Sequence, residues 1–100
     1  MIRHIAMFRF APDATAEQRQ TAIDGLRALP GLVPSIRGFE VATSLGLVDE
    51  GADLVVSALF DDADGWRDYI AHPEHRRVAD LLLAPIRIER LTIQHAVEAE

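Results

Sequence analysis

Between Tyr69 and Arg77 the chain reads YIAHPEHRR, which gathers its one tyrosine and two of its four histidines into a short span. A phenol and an imidazole can donate and accept a proton, the pair needed beside a carbonyl group. Pro73 divides them. It pushes His72 out of the α region and suits the first turn of a new helix. We therefore expect a helix break over a small pocket, with Tyr69 and His75 turned inward. His75 lies near the positive end of the second helix, which disfavours imidazolium and leaves a neutral general base. Tyr69 would donate to a developing enolate oxygen, or simply pack beneath the helix; if buried, its hydroxyl needs a polar partner, which His75 or a ligand carbonyl would supply.

His4 is the polar residue on an otherwise apolar strand face and is expected as a second wall of the pocket, or as a satisfied core histidine. Phe8 and Val56 are assigned to ligand contact. Phe8, Phe10 and Trp66 are core by default, with gaps that could hold an apolar tail. His72 is expected to cap carbonyls at the end of its helix. The HPEH spacing lacks the i, i+4 histidines of a zinc-protease helix, and a proline intervenes. DDADG at 61–65 lacks the glutamate that a calcium loop needs beyond its glycine. Neither metal nor cofactor is expected.

The elements that position these residues follow from periodicity and punctuation. In IRHIAMFRF, Ile2, His4, Ala6, Phe8 and Phe10 share one strand face, and Arg3, Ile5, Met7 and Arg9 the other. Thr15 and Gln18 fit a capping box for a helix to about Leu29, with Ala22, Ile23, Leu26 and Leu29 buried. Pro30 and Gly31 stop it. A second strand is expected from Ile36 to Ser44, then an exposed connection through LGLVDEGAD. DLVVSALF, residues 53 to 60, suits a strand covered on both faces. Asp61 or Asp62 caps a helix carrying Trp66, Tyr69 and Ile70. The helix from Pro73 buries His75, Val78, Ala79 and Leu82, with Arg76 and Asp80 as a solvent-side pair. RLTIQHAV, residues 90 to 97, is the last strand.

This β-α-β-β-α-β order predicts a single α+β domain with the ferredoxin-like arrangement: helices on one face of a four-stranded antiparallel sheet. Ile5, Met7, Val55 and Leu59 would then form an apolar patch on the other face. Two copies packed sheet to sheet would cover it, so a homodimer with a barrel-like centre is expected.

Composition narrows the partners. The chain has 100 residues, 49% hydrophobic, with a net charge of -6. Such an acidic surface argues against nucleic acid. No span or cationic amphipathic helix suggests a membrane. The absence of cysteine removes disulfides and thiol chemistry. No secretory signal is read at the start, and the cytoplasm is the expected location.

MIRHIAMFRF, LRALPGLVPSIRGFEV and YIAHPEHRRVA together resemble the stress-responsive A/B barrel domain family of the dimeric α+β barrel superfamily, with a weaker match at RLTIQHAV. Most bacterial members have no assigned reaction. The plant relatives include a hydroxynitrile lyase and a polyketide cyclase that closes a poly-β-keto chain by an aldol step. The resemblance implies, by position, that Tyr69 and His75 match the cyclase's tyrosine and histidine and that His4 matches its first-strand histidine. Leu54 stands where the cyclase has a third-strand histidine. Gln94 or, by another alignment, His95 stands in place of its last-strand aspartate.

Three functions remain open. One is cofactor-independent proton transfer on a small carbonyl or polyketide-like compound: cyclisation, isomerisation or retro-addition. Another is a non-catalytic stress-related or ligand-binding role. The third is a haem- or quinol-handling monooxygenase, since such enzymes share the barrel.

Overall fold

The structure is a computed structural model that describes residues 1–98. β1 (Ile2–Phe10) leads into α1 (Ala16–Ala28), β2 (Gly38–Thr43), β3 (Leu54–Phe60), α2 (Ala63–Ala71) and α3 (Pro73–Arg77). A π-helical segment, Val78–Leu83, continues α3, and β4 (Arg87–Ala96) closes the sheet. All strand pairs are antiparallel in the order β2-β3-β1-β4. This is the expected ferredoxin-like α+β fold.

The period-2 pattern of β1 decides its sides. His4, Ala6, Phe8 and Phe10 are buried in the core with Leu54, Val56, Ala58 and Phe60 of β3. Ala22, Ile23 and Leu26 of α1, with Leu29 just beyond, join them. At the start of α1 the Thr15 hydroxyl accepts from the Gln18 amide at 3.0 Å and the Gln18 side chain accepts from Thr15 at 2.8 Å. Asp62, not Asp61, caps α2 through the Gly65 amide at 2.9 Å.

Several expectations change. Pro73 leaves His72 extended (φ -64°, ψ 134°), an N-cap conformation, and its Nδ1 accepts from the Glu74 amide at 3.1 Å. His72 thus caps the helix that follows, not the carbonyls of the one before. In the π segment Ala84 N–H bonds Ala79 C=O at 2.9 Å, an i to i+5 link. That wider turn moves the buried face on by one residue. Leu83 is buried there, while Leu82, expected inside, is only partly covered.

β2 is shorter than expected, and β4 begins at Arg87 instead of Arg90. Where β4 meets the end of β1, Arg9 pairs with Glu89 but Phe10 with Arg87. Ile88 is therefore the extra residue of a β-bulge. The other sheet face is open. Ile5 lies opposite Ile93, and Met7 opposite Leu91. Val55 and Leu59 extend this apolar surface along β3, which one chain therefore covers fully on only one face.

Candidate functional site

A cavity of about 250 Å³ lies between the helix side of the sheet and the α2–α3 break. His4, Ala6 and Phe8 of β1 and Val56 of β3 form its floor. Tyr69 and Ile70 come from α2, His75 and Arg76 from α3, and Val78, Ala79, Asp80 and Leu83 from the π segment. Every residue singled out by sequence for catalysis or ligand contact (His75, Tyr69, His4, Phe8 and Val56) lies on this one cavity. Leu54 is not among its walls.

The helix break works through His75. Its Nδ1 lies 3.3 Å from the carbonyl of Ile70, at the end of α2. A carbonyl only accepts, so Nδ1 must carry the proton and Nε2 keeps its lone pair. Burial lowers the His75 pKa from 6.5; Arg90 and Arg76 act the same way, opposed by the Ile70 bond and Asp80. With burial as the largest cause, the imidazole is neutral near pH 7, the state expected of a base.

The Tyr69 and His75 rings lie 4.4 Å apart, at a tilt of 54°. Tyr69 is 2% exposed and also packs on Phe60 and Phe39. Its hydroxyl makes no hydrogen bond to the described residues, and Ser35 Oγ is the one sealed side-chain polar atom left without a partner among them. Of the two polar partners expected for it, His75 makes no bond to the phenol oxygen, which remains reachable from the cavity. Burial raises its pKa above the ordinary 10, with Arg90 opposing, so it stays a donor.

His4 is 3% exposed. The Trp66 indole N–H donates to its Nδ1 at 3.3 Å, and Gln94 Nε2 lies 2.9 Å from the same atom. Indole nitrogen can only donate, so Nδ1 accepts and Nε2 bears the hydrogen. Burial, then Arg90 and His75, lower its pKa to about 4. Gln94 therefore backs His4 from behind. His95 faces the open side opposite Arg3, with Nδ1 3.0 Å from the Ala96 carbonyl. Neither residue lines the cavity.

Sequence reasoning missed the charge around the mouth. Arg76 and Asp80 are both exposed, as expected, but form no ion pair with each other, and both line the cavity. Glu74 instead pairs with Arg77 at 3.3 Å. Arg87 and Arg90 of β4 complete the rim.

The stress-responsive A/B barrel domain model matches residues 2–95. The chain belongs to this family. A dimeric ferredoxin-like protein of unknown function from Thermobifida fusca is 35% identical, with a TM-score of 0.88, covering 96% of this chain and 90% of that one. An uncharacterised Streptomyces coelicolor protein is 27% identical over 78 residues, 76% of this chain and 80% of its own length. The hydroxynitrile lyase of Passiflora edulis is 16% identical, with a TM-score of 0.85, covering 99% of this chain and 94% of that one. At that identity the likeness is one of fold. No helix of the described A/B barrel domain is long and apolar enough to cross a membrane.

Proposed function

We propose that this A/B barrel domain binds a small carbonyl compound in the cavity and moves a proton at the carbon beside its carbonyl group. The carrying observation is the Ile70 carbonyl bond to His75 Nδ1, which leaves Nε2 as a base. His75 Nε2 takes the α-proton as the C–H bond breaks. The electron pair moves onto the carbonyl oxygen, where the Tyr69 hydroxyl donates. His4 Nε2–H orients the substrate. Return of the proton to another carbon gives isomerisation. Attack of the enolate on a second carbonyl gives an aldol closure. The fold shared with a hydroxynitrile lyase is compatible with such chemistry and does not choose among these outcomes.

His75→Ala tests the assignment. Deuterium exchange at the α-carbon, followed by NMR over a panel of β-keto compounds, should fall about a hundredfold or more. Unchanged exchange in folded variant removes His75 as the base.

A second reading has its own observation. The Ile70 carbonyl is a helix-end acceptor that needs a donor, and His75 supplies one. In a non-catalytic binding protein His75 would serve only to join α2 to α3. The variant would then melt at a lower temperature, with no exchange to lose.

We further propose that two copies pair through their open sheet faces. The apolar surface about Ile5, Met7, Leu91 and Ile93 supports this, as does the dimeric state of the Thermobifida fusca protein.

A further inference from the structure

The chain's ten basic residues are all arginine. Seven have side-chain hydrogen bonds: Arg3 to Ser57, Arg37 to Asp61, Arg67 to Asp64, Arg77 to Glu74, and Arg9, Arg19 and Arg27 to backbone carbonyls. The other three, Arg76, Arg87 and Arg90, make none to the described residues, and these are the three on the cavity. A protein of net charge -6 thus concentrates its uncommitted guanidinium groups at a single opening.

The bulge in β4 makes this arrangement possible. Residues three apart on a regular strand point to opposite faces. Because Ile88 is the extra residue, Arg87 and Arg90 both reach the cavity side. Arg76 arrives from the helix across the mouth. Asp80 is the one acidic side chain lining the cavity, and it takes part in none of the ion pairs among the described residues. The positive excess therefore stands. Guanidinium forks suit the paired oxygens of a carboxylate or phosphate better than a neutral carbonyl. Arg90 also acts electrostatically on His4, Tyr69 and His75, so a group held there would sit beside the reacting end.

We propose that the ligand is a carbonyl compound carrying an anionic carboxylate or phosphate group, which Arg76, Arg87 and Arg90 hold at the cavity mouth. This rests on the carbonyl-binding reading above and adds the class of compound.

Calorimetric titration with phenylpyruvate, its methyl ester and phenyl phosphate separates charge from shape. The keto acid should bind at least about tenfold more tightly than the neutral ester. Arg76→Gln/Arg87→Gln/Arg90→Gln should erase that preference while ester binding persists, and added salt should weaken only the anions. Phenyl phosphate binding more tightly than phenylpyruvate identifies phosphate as the group; the reverse identifies carboxylate. Equal binding of acid and ester, a preference that survives the triple substitution, or failure of both anions to bind at millimolar concentration overturns the inference. α-Proton exchange is read on the same samples. Exchange without acid preference would defeat the anion site and spare the base assignment; acid preference without exchange would do the opposite.

Discussion

The indole N–H of Trp66 donates to Nδ1 of His4 at 3.3 Å, across 62 residues of sequence, and fixes which imidazole nitrogen holds the hydrogen. Gln94 reaches the same Nδ1, so its amide must present NH2 there. Trp66→Phe keeps a ring but removes the donor that only donates. It should cost about 1 kcal/mol of stability and admit the Nδ1–H tautomer, with the Gln94 amide turned over. Nitrogen-15 shifts of His4 read this directly. A single unchanged tautomer in the variant would mean that Gln94 alone sets it.

His4 also ties stability to pH. Burial holds its folded pKa at about 4 against 6.5 in the unfolded chain. Below 6.5 the unfolded state binds a proton that the folded state refuses. The contribution is whole above 6.5 and disappears as pH falls through 4, on the order of 3 kcal/mol. His75, also lowered, acts in the same direction. Urea unfolding across that window should show the loss, and His4→Gln, which retains an acceptor for Trp66, should flatten it. Parallel slopes for the two proteins would contradict this.

Short-range signals made much of the fold legible. Alternation in β1 assigned its faces because one face is buried, and Pro73 marked the break because its ring restricts His72. The capping box at Thr15 needs only neighbours in sequence. What stayed hidden depends on distant partners. Nothing local distinguishes a π turn at Val78–Leu83 from an α turn, so Leu82 was expected where Leu83 lies. The bulge at Ile88 exists only against β1, and without it Arg87 and Arg90 do not share a face. Arg76 and Asp80 have ion-pair spacing, yet both line the cavity.

Arg90 should tune the acid limb of any α-proton exchange. It is one of the charges that lower His75, after burial. Arg90→Gln should therefore move the limb upward towards 6.5. The same change should lift Tyr69 further, since Arg90 opposes the effect of its burial. A pH–rate profile whose acid limb stays fixed would show that the Arg90 charge does not reach His75.

Gly25 sets how closely α1 approaches the π segment. A Cβ there would lie 2.8 Å from Leu82 Cδ1 and 3.3 Å from Val78 Cγ2. The Leu82 tip can swing aside, but the branched and fully buried Val78 has little freedom. Gly25→Val should cost about 1–3 kcal/mol in denaturant unfolding and press Val78 towards the cavity it lines. Stability equal to the parent would mean that the two segments part easily.

The open sheet face gives the last test. Ile93 is 56% exposed and Leu91 65% in one chain, opposite Ile5 and Met7. If two sheets meet there, a lysine in place of Ile93 must be buried without a partner or the interface must open, and the first option costs several kcal/mol. Ile93→Lys should sediment as a monomer while the parent sediments as a dimer. Leu45→Lys, in an exposed connection at 86%, should remain dimeric. A parent protein that is monomeric at every concentration would leave this apolar surface to water and exclude sheet-to-sheet pairing.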